Sequence, residues 1–386
     1  MSNKINFSHR SILNNDIKVV SEVLRSGWLT HGKYTKLFER EFSRFVNSKY
    51  AVTVNSCTAG LHLSCLALEI KKGDEVILPA MSHTATAHAI EYTGAKPVFV
   101  DIKNDLSGNI DPKVIESKIN KRTKAIIIVH MSGFACDMRE ILKICKNYKL
   151  KLIEDCAHGL GTFFDKKHVG NFGISGCFSF YPTKHITTGE GGMIISNNKK
   201  FIKKIRQLKA FGIDTDIKKR KIPGLYNVKS LGYNYRMTDF QASLGFHQLL
   251  RFKENLLIRK RNAKIYEKYL LSTKIKFKKF NKDCSYFIYQ IFVKNRNKLI
   301  KLLKKKNIET SIHYATPIPF FDYYKKYNFK KVNFKNSIFY SKQSISLPVH
   351  HQINKKHIKE VSKTILNFLK VYIVTFLTNF KSCFNI

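Results

Sequence analysis

Acidic side chains are scarce in this sequence: 27 Asp and Glu stand against 69 Lys and Arg, for a formal net charge of +42. Such an imbalance raises a nucleic-acid or membrane-surface role. Most of the excess is Lys rather than Arg, scattered through the second half in runs such as KKFIKKIRQ and KLLKKKN, and no zinc-finger, RNP or helix-turn-helix signature accompanies it. A solvated basic surface that helps to steer an anionic substrate is expected instead, and no nucleic-acid partner. Proline is rare too, at 8 residues, and 44% of residues are hydrophobic, which excludes a collagenous or disordered chain.

The eight cysteines (57, 65, 136, 145, 156, 177, 284 and 383) form no C-x-x-C pair and no zinc spacing with His, which leaves reduced, mostly buried thiols and no metal site. No apolar run is long. VYIVTFLTNF, between Lys370 and Lys381, falls well short of the ~20 residues that cross a bilayer, so no membrane span is expected and the run reads as a closing helix or strand packed on the body. MSNKINFSHRS lacks the apolar core of a signal peptide, and a cytoplasmic location follows as an expectation.

A chain of 386 residues suits a large domain with a smaller companion. Seven β-rich runs alternate with helical patterns: 50–54, 75–80, 96–101, 124–130, 151–156, 176–181 and 192–196. That alternation predicts an α/β fold with a mostly parallel seven-stranded sheet, covered by helices on both faces. From about Thr238 to Leu271 the pattern is helical and leads out of the sheet. A domain boundary is placed there, giving a large domain over 1–245 and a small α+β domain over 246–386. In the latter, YFIYQIFV and TSIHY read as strands, NKLIKLLKKKN as a helix, and a final helix lies near 354–369.

Three segments carry chemistry. GCFSFYPTKHITTGEGG places Lys184 just past an apolar strand and before a glycine-rich turn. A partly desolvated lysine at the mouth of a parallel sheet has a lowered pKa and attacks carbonyls, so Schiff-base chemistry is its natural use. Ser179 can turn its hydroxyl toward an anion; an ordinary surface turn is the alternative. In LIEDCAHG a strand ends near Asp155 and His158. A carboxylate there suits the pyridinium nitrogen of pyridoxal phosphate, which must stay protonated to act as an electron sink. The alternative is a helix N-cap. His158 suits the ring's phenolic oxygen, or a backbone group. In VTVNSCTAGLHLSCLAL a strand, a small-residue turn and a helix put Thr58 and Ala59 at a helix N-terminus, where a phosphate binds free N–H groups. His83 follows another strand end and either stacks on the cofactor ring or faces solvent.

Taken together, SGWLTHG (26–32), LFEREF, NSCTAGLHL (55–63), GDEVILPAMSHTATAHAIEYTGAKPVFVD (73–101), IEDCAHGLGT (153–162), CFSFYPTKHITTGEGG (177–192) and LGYNYRMTDFQASLG (231–245) resemble the DegT/DnrJ/EryC1/StrS sugar aminotransferases. The resemblance covers roughly residues 20–350 and implies the pyridoxal-phosphate-dependent transferase fold of type I. It implies that Lys184 forms the Schiff base, that Asp155 pairs with the ring nitrogen, and that His158 contacts the ring oxygen, a place often held by Gln. Ser179, Thr58 and Ala59 would hold the phosphate. His83 stands where the family has a stacking aromatic residue, and Cys57 where many members have Gly. Asn234 would reach the phosphate of a neighbouring subunit, which implies a homodimer with shared sites. Substrate contacts are expected from Trp28, Arg236, His313 and Tyr314, and specificity from loops such as 211–230.

The implied reaction transfers an amino group from an amino acid, glutamate by family analogy, to a keto sugar, nucleotide-linked in most relatives, for surface polysaccharide or glycoconjugate synthesis. Some relatives are dehydratases with His in place of the lysine; here Lys184 is present, followed by His185. A non-catalytic regulator on the same fold is the remaining alternative, and the retained Lys184, Asp155 and Ser179 argue against it.

Overall fold

The computed structural model describes residues 4–8, 12–30, 32–213, 222 and 224–382, with side chains up to Lys370. Cys383, parts of the loop 211–230, and the side chains of the apolar run after Lys370 lie outside the described residues. Two helices open the chain, α1 (Asn14–Arg25) and α2 (Lys33–Val46), and the predicted sheet follows. Its seven strands are β1 (Tyr50–Val54), β2 (Glu75–Pro79), β3 (Lys96–Val100), β4 (Thr123–Val129), β5 (Lys151–Asp155), β8 (Ser175–Ser179) and β9 (Gly192–Ser196), in the order β1-β9-β8-β5-β4-β2-β3. A two-residue hairpin, β6 (Phe163–Phe164) with β7 (Lys167–His168), interrupts the run between β5 and β8.

Helices α3 (Cys57–Ala67), α4 (Thr84–Glu91), the short α5 (Pro112–Ile115) and α6 (Met138–Asn147) connect the parallel strands. β9 is the exception. It follows β8 through a loop, with no crossover helix, and so runs antiparallel to both neighbours. Side chains alternate across the sheet: Val52, Val54, Leu78, Ile127 and Ile153 pack with α3 on one face, while Ile77, Ile126, Ile128 and Leu152 pack with α6 on the other. Burial on both faces is why these strands read as almost unbroken apolar runs.

After α7 (Lys199–Leu208), the expected helical stretch resolves into α8 (Asp239–Leu250), against α1 and α2, and α9 (Phe252–Leu270). Residue 245, the expected boundary, falls inside α8. The second body is a three-stranded antiparallel sheet, β10 (Lys276–Phe277), β11 (Tyr289–Phe292) and β12 (Ser344–Leu347), with α10 (Arg296–Lys305), α11 (Lys335–Gln343) and α12 (Lys355–Ser382). TSIHY is not one of its strands. Only Ser311 forms a bridge, to Ser346, and the strand at that edge is β12, whose SISL has the alternating serines of an amphipathic pattern although every position is buried. The N-terminal segment joins this second body: Ile5 bridges Ile308, and the second core holds Ile5 together with Ala263, Leu299, Ile345 and Ile358. No helix among the described residues is long and apolar enough to cross a membrane.

Candidate active site

The residues singled out from the sequence follow the carboxyl ends of parallel strands, the edge where open α/β sheets bind ligands. Asp155 closes β5, Ser179 closes β8, His83 follows β2, and Thr58 and Ala59 lie in the first turn of α3 after β1. Lys184, past β8, is half-buried with its Nζ 4.4 Å from the centre of the Phe287 ring. Burial lowers its pKa to about 8, against the opposing pull of Asp155 and Cys57 nearby.

Asp155 is buried, and its Oδ1 accepts the Ala157 N–H at 3.0 Å while Oδ2 accepts the Thr86 hydroxyl at 2.9 Å. The two carboxylates at the end of β5 face opposite ways. Glu154 accepts the N–H groups of Phe172 and Gly173 on Oε1, and that of Gly170 and the His130 ring on Oε2. Although His130, Glu154 and Cys156 come within 4.8 Å of one another, four donors already fill the positions of Glu154 that a metal ion would need.

His158 stacks on Phe287, with ring centres 4.2 Å apart. Burial, then the positive field of Lys184, holds its pKa well below the usual histidine range. Its Nδ1 accepts the Ser132 N–H at 3.4 Å, which places the proton of the neutral ring on Nε2, 3.4 Å from the Tyr314 hydroxyl. His313 is pushed down to about 3 by burial and by Lys184, and its Nδ1 lies 3.0 Å from Ser346 Oγ. His83 is exposed and caps α4, its Nδ1 accepting the Ala85 N–H at 3.2 Å. Its ring centre is 5.9 Å from that of Tyr314. Lys184, Asp155, His158, His83, His313 and Tyr314 thus form one cluster.

The other expected residues lie apart from that cluster to different degrees. Ser179 and Val54 both pair with Gly192, where an added Cβ would come within 2.7 Å of Cys57 N, so the backbone there closes on the first turn of α3. Ser179 and Thr58 flank this cradle; the Ala59 N–H already donates to Ser56 Oγ at 3.0 Å. Asn234 is exposed and accepts from Arg236 Nε at 2.9 Å, with the Arg236 guanidinium over Phe211. Trp28 lines a separate cavity of about 480 Å³ with Glu22, Lys33, Tyr34 and Asp239, none of them in the Lys184 cluster. His185 is buried, its ring nitrogen 3.3 Å from the Ser285 carbonyl, in the seam with Phe252 and Phe287. It does not stand in for the lysine.

Sequence reasoning missed Phe287, Thr86 and Ser132. Thr86 lies within a quoted motif, but nothing local shows that it reaches β5; Phe287 comes from the second body, about a hundred residues after Lys184. The donor set fits pyridoxal phosphate: a lysine amine with a lowered pKa, a buried carboxylate whose Oδ2 has room for a further donor, and hydroxyls beside a helix N-terminus.

Residues 10–366 match the DegT/DnrJ/EryC1/StrS aminotransferase family. The chain is 36% identical to the spore coat polysaccharide biosynthesis protein SpsC of Bacillus subtilis, covering 92% of this chain and 94% of that protein. It is 35% identical to the UDP-4-amino-4,6-dideoxy-N-acetyl-beta-L-altrosamine transaminase of Campylobacter jejuni, over 95% and 98% of the two chains. Among solved structures, Helicobacter pylori PseC, an aminotransferase involved in the biosynthesis of pseudoaminic acid, superposes with a TM-score of 0.88 at 30% identity, covering 95% of this chain and 99% of that one.

Proposed function

The chain belongs to the DegT/DnrJ/EryC1/StrS aminotransferase family, and from that premise we propose that it aminates a nucleotide-linked keto sugar with glutamate as donor. It is a pyridoxal-phosphate-dependent sugar aminotransferase with the type I α/β fold. The nucleotide carrier, the donor, a destination in surface polysaccharide or glycoconjugate, and a cytoplasmic homodimer make up the finer reading. The carrier is supported by the +42 charge, which attracts anions, and by a relative whose substrate is UDP-linked. The seven described cysteines, all buried and free, suit a reducing compartment.

Lys184 carries the mechanism. With a pKa of about 8, about a quarter of its amine is unprotonated at pH 7.5, against about one part in a thousand for an ordinary lysine. It would hold the cofactor through Nζ and, once displaced by the amino donor, take a proton from the substrate carbon and return one through the same atom. Pyridoxal phosphate, when bound, supplies the electron sink that stabilises the charge left on that carbon. Asp155 would pair with the ring nitrogen, and His158 would offer its Nε2–H to the ring oxygen in place of Tyr314. Phe287 keeps water from the amine. Ser179 and Thr58 would bind the phosphate, with Asn234 of a second subunit. Donor and sugar use the same site in turn, so His313, Tyr314, Arg236 and Trp28 stand as substrate-side candidates.

Conversion of the loaded enzyme to its pyridoxamine form by glutamate, followed by a screen of keto sugars with and without a nucleoside diphosphate, tests this reading by loss of pyridoxamine absorbance. Nucleotide-linked sugars should discharge the form fastest, with kcat/KM falling as salt rises. Equal rates for free keto sugars, independent of salt, would refute the nucleotide carrier.

A further inference from the structure

Asp155 is held by more than the backbone. Thr86 Oγ1 donates to its Oδ2 at 2.9 Å and lies 2.8 Å from Ser82 Oγ. Because the single hydroxyl proton of Thr86 goes to the carboxylate, Ser82 must be the donor in the second bond. On the other oxygen, Oδ1 accepts the Ala157 N–H; the Cys57 thiol lies 3.9 Å from it and 3.5 Å from the Cys177 carbonyl, which takes its single proton at the shorter distance. A carboxylate has about four lone-pair positions. On Oδ2, Thr86 fills one and leaves the other. Ser82, Thr86 and Asp155 are all buried, so a missing donor would leave a buried acceptor short of a partner.

We propose that Thr86, backed by Ser82, is a positioning residue that aims the remaining lone pair of Asp155 Oδ2 at the cofactor's ring nitrogen. The proposal rests on Asp155 being the partner of that nitrogen. Two observations support it. A helical threonine ordinarily turns its hydroxyl back to the carbonyl four residues earlier; Thr86, in the first turn of α4, instead reaches a residue 69 positions away on β5. The N-cap of α4 is His83, whose ring accepts the Ala85 N–H, and the hydroxyl of Thr86 is left for Asp155. His83, the N-cap of the same helix, lies in the field of both Lys184 and Asp155. One turn of α4 therefore serves the face of the ring and the partner of its nitrogen.

The test compares binding of pyridoxal phosphate with binding of its carbocyclic analogue, in which C–H replaces the ring nitrogen, by equilibrium dialysis. The wild type should prefer the nitrogen-containing ring. Thr86→Val should reduce that preference by about tenfold, and Thr86→Ser should retain it. Asp155→Asn is the control. If Asp155→Asn leaves the preference unchanged, the underlying assignment of Asp155 fails. If Asp155→Asn removes the preference while Thr86→Val keeps it, including the case where both ligands weaken equally, the role of Thr86 alone is overturned. Should Thr86→Val not fold, Ser82→Ala is expected to lower the preference about threefold through the weakened relay, and an unchanged value overturns the proposal.

Discussion

Replacing Lys184 with methionine should abolish turnover and, in the cofactor-free protein, raise stability. The lysine pKa falls from 10.5 to about 8 on folding, because its ammonium form is desolvated beside Phe287. At about 1.36 kcal/mol per pH unit, that difference amounts to about 3 kcal/mol against the folded state. Because the Lys184 side chain is only half-buried, solvent screening reduces the gain from removal to about 1–3 kcal/mol. The sign follows from proton counting. Between pH 8 and 10.5 the unfolded chain holds the Lys184 proton and the folded chain does not, so wild-type stability rises with pH through that window. Below pH 8 both states are protonated and the cost is fully present. The advantage of Lys184→Met should therefore be greatest at pH 7, shrink above pH 8, and vanish near 10.5. Urea unfolding of both proteins between pH 7 and 9.5 measures it. With a slope of about 3 kcal/mol/M or more, the midpoint at pH 7 should rise by about 0.3–1 M. A variant less stable than wild type at pH 7, or an advantage that grows with pH, would refute the reasoning.

Mixing Lys184→Ala with Asn234→Ala subunits tests the shared site: if Asn234 serves the neighbouring subunit, exchange should restore about a quarter of wild-type activity, since half of each hybrid's sites carry neither lesion. Impaired parents that exchange yet regain nothing would place Asn234 in its own chain's site. Glu154→Gln should cost about 2–4 kcal/mol in urea unfolding, because one amide NH2 would face N–H donors now bound by the carboxylate; a loss below about 0.5 kcal/mol would show that the 170–173 loop does not depend on it.

The sheet was legible because its strands are buried on both faces and helices such as α6 and α7 show a plain amphipathic period. β12 was not: Ser344 and Ser346 alternate with Ile345 and Leu347, and only the pairing with β11 makes that tetrapeptide a buried strand. The site divides in the same way. Lys184 and Asp155 sit at strand ends, where one local segment displays both the strand and the reactive group. Phe287 and Thr86 act through contacts made by distant parts of the chain, and a linear pattern carries no trace of them. His158 was legible as a residue; which nitrogen holds its proton depends on Ser132, known only from the folded backbone.

The clasp between Ile5 and Ile308 also sets a timetable for synthesis. The Phe7 N–H binds the Glu309 carboxylate across a separation of 302 residues, and the backbone of Ile5 bonds to Asn307 and Glu309. A ribosome adding about 5–20 residues per second needs roughly 15–60 s to pass from one to the other. All seven strands of the large sheet leave the ribosome within that interval, as do Lys184 and Asp155. The leading end of the nascent chain must wait for its partner, and the newborn enzyme acquires its Lys184 amine well before the Phe287 wall that shields it.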